Sequence, residues 1–422
     1  MKRIFLLILF STLLLVSCER TNTPEVTKLI YGPDYPNTEY VENINVGVNA
    51  ETPEEAITYF GTDILKCLYN GEDNVLISPA SVFFALSMTE TGAKGNTFEQ
   101  LEKALGRGIP FEEMTAFGKS FTETYKNNKY IKTGLANSLW IRDDESAIEV
   151  HESFVEKTKE NFDAEVFTEK FDSFTKDKIN NWVKEKTDSM IDEIIDNIDK
   201  ETVMYLINAM FFDGEWQSIY YEDSVTDDFK FTNVKGEEEI ITGMSSTEWT
   251  FLSDENTTGF VKNYKGGQFG FAVLLPNEDI SINDYVKGLD GDKITKLLEN
   301  KKEQKVYAKM PKFKFGYTAN LNETLKVLGI TDAFDATLSD LSGIGTTDYE
   351  NLYISKVLHK TYIEVAEKGT KAAAVTAVAV DGATAAAPQK IEYVTVDRPY
   401  LFMIIDNNSN LPIFMGAVLS VE

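Results

Sequence analysis

Side chains able to perform acid–base, nucleophilic or metal chemistry are scarce and scattered in this sequence. Its 422 residues include two histidines, His151 and His359, and two cysteines, Cys18 and Cys67. A His-based triad or a His/Cys metal centre needs several such groups at defined spacings. Glu152 follows His151, but no second histidine lies four residues on, and no nucleophile-elbow or phosphate-loop motif occurs. We therefore predict no catalytic residue, no bound metal and no cofactor.

Carboxylates are the one reactive group in abundance. Asp and Glu total 68 against 41 Lys and Arg, which gives a formal net charge of −27. This acidity argues against a nucleic-acid partner, because phosphate binding needs a basic face. The run at residues 237–239 is interpreted as a solvated turn, and a hydrolase using a carboxylate pair stays open as a third hypothesis. With 43% hydrophobic residues, the chain can form a large buried core.

The first residues resemble a targeting segment. Lys2 and Arg3 precede an apolar run at residues 4–16, which at ~1.5 Å per residue is too short to cross a ~30 Å hydrocarbon core. The ending Leu-Val-Ser-Cys resembles a bacterial lipoprotein processing site, which implies cleavage before Cys18, acylation of its thiol, and anchoring in the cell envelope, at the outer membrane or cell surface. An ordinary signal peptide is the alternative. We predict a signal peptide at residues 1–17 and a flexible, Pro-punctuated tether at 18–50.

The remaining residues, 51–422, are predicted to form one α+β domain. Thr52 and Pro53 begin a helix whose apolar residues recur at helical spacing, and Cys67 lies in its buried stripe. Strands do not alternate regularly with helices, which disfavours a doubly wound sheet. Further helices are expected at residues 81–105, 176–186 and 322–328, and strands at 270–275, 306–310, 313–315, 391–396 and 401–405, the last followed by a hairpin turn at 407–410.

An alanine-rich segment at residues 369–387 stands out. It reads GTKAAAVTAVAVDGATAAA, and as an extended strand it has one face of small, uncharged side chains from Thr370 to Val380. Lys371 and Asp381 lie on the opposite face. Such a segment could enter the middle of a β-sheet without burying a charge. A flexible alanine-rich loop or a short helix is the alternative from composition alone.

The sequence around this segment resembles a known family. Residues 364–374 (EVAEKGTKAAA) look like the hinge of the serpins, a family of protease inhibitors. Eight further motifs occur in that family's order over about 340 residues. They are NVLISPAS at 74–81, GAKGNT at 92–97, NAMFFDGEW at 208–216, MPKF at 310–313, LGI at 328–330, DLSG at 340–343, RPY at 398–400 and FMG at 414–416.

The resemblance implies the serpin fold, with three β-sheets, about nine helices and an exposed reactive loop. A target serine endopeptidase, or a cysteine endopeptidase as a second class, would cleave the loop and remain attached as an acyl-enzyme while the loop enters the main sheet. The chain would thus be a monomeric, irreversible suicide-substrate inhibitor. A non-inhibitory serpin acting as a binding or carrier protein is the alternative.

Site residues follow from the same resemblance. Counting from Glu367 places the reactive bond at Ala383–Thr384, which suits an elastase-like protease with a shallow, apolar primary pocket. Counting back from Pro399 lands near Pro388, so the C-terminal side of the loop is about five residues longer than in common members. The predicted hinge is Glu367, Gly369, Thr370, Ala372, Ala373, Ala374 and Thr376. The predicted conformational gate is Ser78, Ser81, Asn208 and His359, with Trp216 where insertion begins.

Overall fold

The computed structural model describes residues 28–42, 44–126, 128–143, 148–347, 351–370 and 390–421. Ten α-helices lie in these ranges. They are α1 (Thr38–Val41), α2 (Pro53–Leu68), α3 (Pro79–Glu90), α4 (Gly95–Gly106), α5 (Phe111–Lys126), α6 (Glu152–Phe162), α7 (Ser173–Lys186), α8 (Ile282–Lys287), α9 (Gly291–Glu299) and α10 (Asn322–Val327). Two short 3₁₀ turns, Glu222–Ser224 and Asp332–Phe334, complete the helical elements of the described chain.

Eighteen strands accompany these helices within the same ranges. They are β1 (Leu29–Tyr31), β2 (Val75–Ile77), β3 (Ile131–Arg142), β4 (Glu149–Val150), β5 (Glu165–Glu169), β6 (Met204–Glu215), β7 (Val225–Thr232), β8 (Glu238–Ser253), β9 (Thr257–Asn263), β10 (Phe269–Pro276), β11 (Lys302–Pro311), β12 (Phe313–Asn320), β13 (Gly345–Thr346), β14 (Lys356–Ala366), β15 (Gly369–Thr370), β16 (Glu392–Thr395), β17 (Tyr400–Asp406) and β18 (Pro412–Val418).

Three sheets are built from these strands, which confirms the predicted α+β architecture. The first has the order β1-β12-β14-β15-β6-β3-β5 and is called the main sheet below. The second has the order β16-β11-β8-β9-β10-β17-β18-β2, with β7 paired to β8. The third is the pair β13-β4. Helix α3 packs between the first two sheets and is buried along its whole length, so it forms the centre of the core.

Local sequence explains the start of α2 and the break between α3 and α4. The Thr52 side chain accepts from the backbone N–H of Glu55 at 3.3 Å and caps α2, as predicted. The helix predicted over residues 81–105 is wrong, because two helices, α3 and α4, are separated by a turn there. A Cβ at Gly92 would come within 2.3 Å of the Ile344 side chain, and Gly95 has a positive φ of 51°. Close packing and left-handed backbone therefore interrupt the helix at glycines.

Part of the predicted flexible tether is ordered against the domain. Leu29, Ile30 and Tyr31 pair in parallel with β12, so β1 forms an edge strand of the main sheet. Farther along, the guanidinium of Arg107 donates to the carbonyl oxygen of Asn45 at 3.1 Å. The tether prediction for residues 18–50 is thus wrong for these segments, because backbone pairing and a buried cation hold them. The boundary at residue 51 stays a prediction. No described helix is long and apolar enough to span a membrane.

Candidate conformational gate and hinge

The main sheet is closed at its centre by direct pairing of β14 with β6. These two strands run parallel, with Lys356 opposite Tyr205 and Thr361 opposite Met210 at the two limits of the pairing. Within this stretch, His359 lies directly opposite Asn208. The predicted gate residues therefore meet where the two central strands of the sheet touch, beneath which the N-terminus of α3 packs.

His359 bridges the two strands and the helix below them. Its Nε2 accepts a hydrogen bond from the backbone N–H of Ser78 at 3.1 Å, so this nitrogen carries no proton. The proton is therefore on Nδ1, which donates to Oδ1 of Asn208 at 2.5 Å. The ring is fully buried, and this desolvation lowers the pKa of His359 from 6.5 to about 3. A neutral imidazole in one tautomer thus links β14 to β6.

The amide of Asn208 continues the network toward the next strand and α3. Its Nδ2 donates to the carbonyl oxygen of Ser81 at 2.7 Å and lies 2.5 Å from both Oγ of Ser81 and Oδ1 of Asn137. The hydroxyl of Ser78 donates to the carbonyl oxygen of Ile413 at 2.8 Å, which ties the helix start to β18. The structure therefore joins four predicted gate residues in one buried network. Asn137, on β3, is a member that the sequence did not indicate.

Above the closed stretch, β14 and β6 separate, and two described residues of the predicted hinge lie between them. Gly369 and Thr370 form β15, in which Thr370 pairs with Val365 of β14 and with Gly214 of β6, antiparallel to both. Thr370 is buried, and its Oγ1 lies 2.5 Å from the hydroxyl of Tyr264. The first residues of the alanine-rich segment therefore already occupy a place in the main sheet. Tyr264 is a second contact that the sequence did not indicate.

Trp216 holds the chain just before this entry point. Its backbone N–H donates to the carbonyl oxygen of Lys368 at 2.9 Å, and its indole Nε1 donates to that of Ala366 at 2.8 Å. The indole stacks on Tyr264, with ring centroids 4.4 Å apart. Trp216 is buried. It therefore fixes both the backbone that leads into the hinge and the tyrosine that contacts Thr370.

An ion pair anchors the outer side of the turn. Lys312 donates to both carboxylate oxygens of Glu367, at 2.7 and 3.0 Å. The carbonyl oxygen of Glu367 accepts from the backbone N–H of Tyr220 at 2.8 Å. Both charged side chains are partly exposed, so their attraction is screened by solvent. The turn at residues 367–368 is thus held mainly by backbone hydrogen bonds, with the ion pair as a smaller addition.

Comparisons with known proteins agree with this geometry. A family model described as Serpin (serine protease inhibitor) matches residues 55–421. The chain belongs to the serpin family. The serpin fold predicted from the sequence is therefore confirmed.

Relatives and solved structures show how far the similarity extends. The chain is 30% identical over 400 residues to Neuroserpin of Mus musculus, covering 90% of this chain and 94% of that protein. It is 30% identical over 390 residues to Leukocyte elastase inhibitor of Xenopus laevis, covering 88% of this chain and 100% of that one. The native structure of the thermophilic serpin tengpin superposes with a TM-score of 0.81 at 43% identity, covering 88% and 95%.

In this serpin, the structure accounts for part of the predicted site. It brings Ser78, Ser81, Asn208 and His359 into the gate, and it places Glu367, Gly369, Thr370 and Trp216 at the sheet opening. The other predicted residues lie outside the described ranges. They are Ala372, Ala373, Ala374 and Thr376 of the hinge, Ala383 and Thr384 of the reactive bond, and Cys18. Among the described residues, no group of three or more His, Cys, Asp or Glu side chains could hold a metal ion.

Proposed function

We propose that this serpin irreversibly inhibits serine endopeptidases, with cysteine endopeptidases as a second target class, through cleavage of its reactive loop and insertion of that loop into the main sheet. The observation that carries the proposal is the position of Thr370 between β14 and β6. Insertion needs an entry point in the centre of the sheet, and this residue already pairs with both flanking strands. The loop would enter by continuing a strand that has begun.

The length of the sheet supports the same mechanism. If the inserted strand continued the antiparallel pairing of Thr370, residue 379 would pair with Lys356, the first residue of β14. Residue 380 would reach Met204, the first residue of β6. An inserted strand would therefore fill the whole gap and end about three residues before Ala383. A protease acylated at Ala383 would be carried to the far edge of the sheet.

Insertion also has a defined cost at the gate. The direct pairing of β14 with β6 would be lost, and the hydrogen bond between His359 and Asn208 would break. A new strand would replace the lost ladder bonds on both sides, and the pairing of Gly369 and Thr370 with both neighbours supports this expectation. The small, uncharged face of residues 370–380 keeps this step free of buried charge. The sequence thus favours inhibition over a binding or carrier role.

Specificity for elastase-like proteases is the finer part of the proposal. It is supported by the small Ala383 at the predicted reactive bond, since a shallow apolar pocket accepts alanine. One relative carries the name Leukocyte elastase inhibitor.

We further propose that Cys18 is acylated and anchors the protein in a bacterial cell envelope. Labelling with a palmitate analogue should then be lost in Cys18→Ala, whereas labelling that survives would contradict the anchor.

The decisive experiment incubates the serpin with pancreatic elastase and separates the products on a denaturing gel. A band at the summed mass that survives SDS supports suicide inhibition, and mass spectrometry of the released peptide locates the cut. Thr370→Arg should convert the inhibitor to a substrate, because the arginine would replace a buried side chain. Thr370→Ser, which keeps a small hydroxyl, should preserve the covalent band. Cleavage of the wild type without any such band would favour the carrier alternative.

A further inference from the structure

A polar cleft of about 740 Å³ opens between α2, α9 and the chain segment that precedes α2. Four of its lining residues follow one face of α2 at spacings of three or four, namely Glu55, Tyr59, Asp63 and Lys66. Gly291 of α9 lies against this face, since a Cβ there would come within 2.6 Å of the Tyr59 Cα. The two helices therefore approach closely beside the cleft. Its volume falls within the ~300–1,000 Å³ that is typical of ligand sites.

Two buried cations form the floor of the cleft. Lys66 has 2% of its surface exposed, and its Nζ donates to the carbonyl oxygen of Leu289 at 2.9 Å. An ammonium carries three N–H donors, and within the described ranges this carbonyl is its one hydrogen-bond acceptor. Arg107, which is also 2% exposed, pairs with Asp63 at 2.5 Å. The floor therefore has one excess positive charge, at Lys66, with two donors that no described side chain or carbonyl accepts from.

Carboxylates surround the mouth of the same cleft. Glu51, Glu55 and Glu299 line it, and the side chains of Glu51 and Glu299 are exposed. Asp292, also at the mouth, pairs with Lys296, whereas the described part of the chain supplies no cation to Glu51 or Glu299. The cleft is therefore positive at its floor and negative at its mouth. The net charge of −27 on the whole chain adds to the attraction of a cationic group toward the mouth.

This polarity selects a ligand that carries both charges. A plain anion would reach Lys66 only past the carboxylates of the mouth, and a polycation would leave Lys66 without an acceptor. Lys66 and Glu55 are eleven residues apart on α2, which at ~1.5 Å per residue is about 16 Å of helix. The two charges of the ligand must therefore be farther apart than those of a free amino acid. An extended peptide covers such a distance in about five residues at ~3.3 Å each.

We propose that this cleft binds a short peptide by its C-terminus, with the terminal carboxylate on Lys66 and basic side chains against Glu51 and Glu299. The carboxylate offers two oxygens to the two unused donors of the buried ammonium, which gives charge-assisted hydrogen bonds. Burial lowers the pKa of Lys66, and an adjacent carboxylate would raise it again, so the bound amine stays charged. Peptide-bond hydrolysis is the class of reaction that supplies such free carboxylates. The cleft lies outside the gate and the hinge, so this inference is independent of the proposed function.

Isothermal titration calorimetry of the full chain tests the cleft, with the tetrapeptide KKAA as the probe. The same peptide amidated at its C-terminus lacks the carboxylate and should bind at least tenfold more weakly. Lys66→Met keeps the length of the side chain without the ammonium and should weaken the binding of KKAA at least tenfold. Lys119→Met is the matched control, because it removes a surface lysine of α5 that pairs with Glu160 instead of lining the cleft. This control should keep the wild-type affinity.

A second variant keeps the test valid where Lys66→Met disturbs folding. Glu51→Gln/Glu299→Gln changes exposed side chains and should weaken KKAA at least threefold, with no effect on the uncharged peptide AAAA. Equal affinities for free and amidated KKAA would overturn the contact between the carboxylate and Lys66. No heat of binding with KKAA at about 1 mM would overturn the whole proposal. No protease is present in these titrations, so neither result bears on the inhibition of elastase.

Discussion

The buried His359 should make the closed sheet sensitive to acid. Its pKa is lowered from 6.5 to about 3 by burial, whereas the unfolded chain restores the ordinary value. Between these two pKa values the unfolded state binds more protons, so stability is fully present above pH 6.5 and falls as the pH decreases toward 3. Between pH 7 and pH 5 the loss from this one residue is about 2 kcal/mol.

His359→Gln isolates this contribution. Glutamine cannot titrate, so the variant should lose about 2 kcal/mol less than wild type between pH 7 and pH 5, although it is less stable at pH 7. The carboxylates titrate in both proteins and cancel in the comparison. His151→Gln, which replaces the other histidine outside the buried network, serves as the matched control.

Guanidinium titrations of the first unfolding transition at both pH values measure this difference. Intrinsic tryptophan fluorescence is a suitable signal because Trp216 lies at the sheet opening. An equal loss of stability in wild type and His359→Gln would refute the reasoning. It would mean that His359 is protonated or solvated in the native state, and that the buried network does not depend on a neutral ring.

Three further perturbations follow from the contacts around the hinge and the gate. Glu367→Lys should lower the melting temperature by about 1–3 °C, since the partly exposed ion pair with Lys312 contributes ~1 kcal/mol at most. Calorimetry should show that the double variant Glu367→Lys/Lys312→Glu recovers the lost melting temperature. A double variant that does not recover it would contradict a role for the ion pair. Tyr264→Phe and Thr370→Val should each destabilise the native state. A double-mutant cycle should give a coupling energy of about 1 kcal/mol, because the two hydroxyls share one hydrogen bond. Additive effects would show that the hydroxyls do not interact. Asn208→Ala should lower the free energy of unfolding by about 2–4 kcal/mol, because it leaves buried hydrogen-bond partners in three elements unsatisfied. Denaturant titrations should show a smaller loss for Asn137→Ala. A larger loss for Asn137→Ala would contradict the central place of Asn208.

Three of the four predicted gate residues, Ser78, Ser81 and Asn208, lie in motifs that occur in the family's order. Ser78 caps the buried helix α3 and Ser81 lies in its first turn, whereas His359 lies on β14, for which the sequence analysis gave no strand. Asn137 was missed because no feature of its own strand distinguishes it, and its contact with Asn208 spans 71 residues. Such a contact depends on the register of two strands, which local sequence does not determine.

Two other differences have physical causes as well. β1 is a three-residue parallel strand between polar and Pro-rich segments, so its own sequence does not indicate a strand. Its pairing with β12 in the folded chain is what makes it one. The sequence predicted that Thr370 lies on the face that can enter a sheet, and the structure buries it between β14 and β6. Composition could not indicate its contact with Tyr264, 106 residues away.

Extending the register of β15 predicts a second arrangement of the gate. Six residues after Thr370 the inserting strand would reach Thr376, and six residues back from Val365 and Gly214 lie His359 and Asn208. An inserted Thr376 would therefore lie directly between the two residues whose hydrogen bond insertion breaks. It would share the inward face of Thr370 and bring a hydroxyl that can both donate and accept. A structure of the loop-cleaved protein tests this expectation, and a Thr376 side chain on the outer face would contradict it. The Thr376 hydroxyl would then give His359 and Asn208 a partner in the expanded sheet in place of the hydrogen bond that insertion breaks.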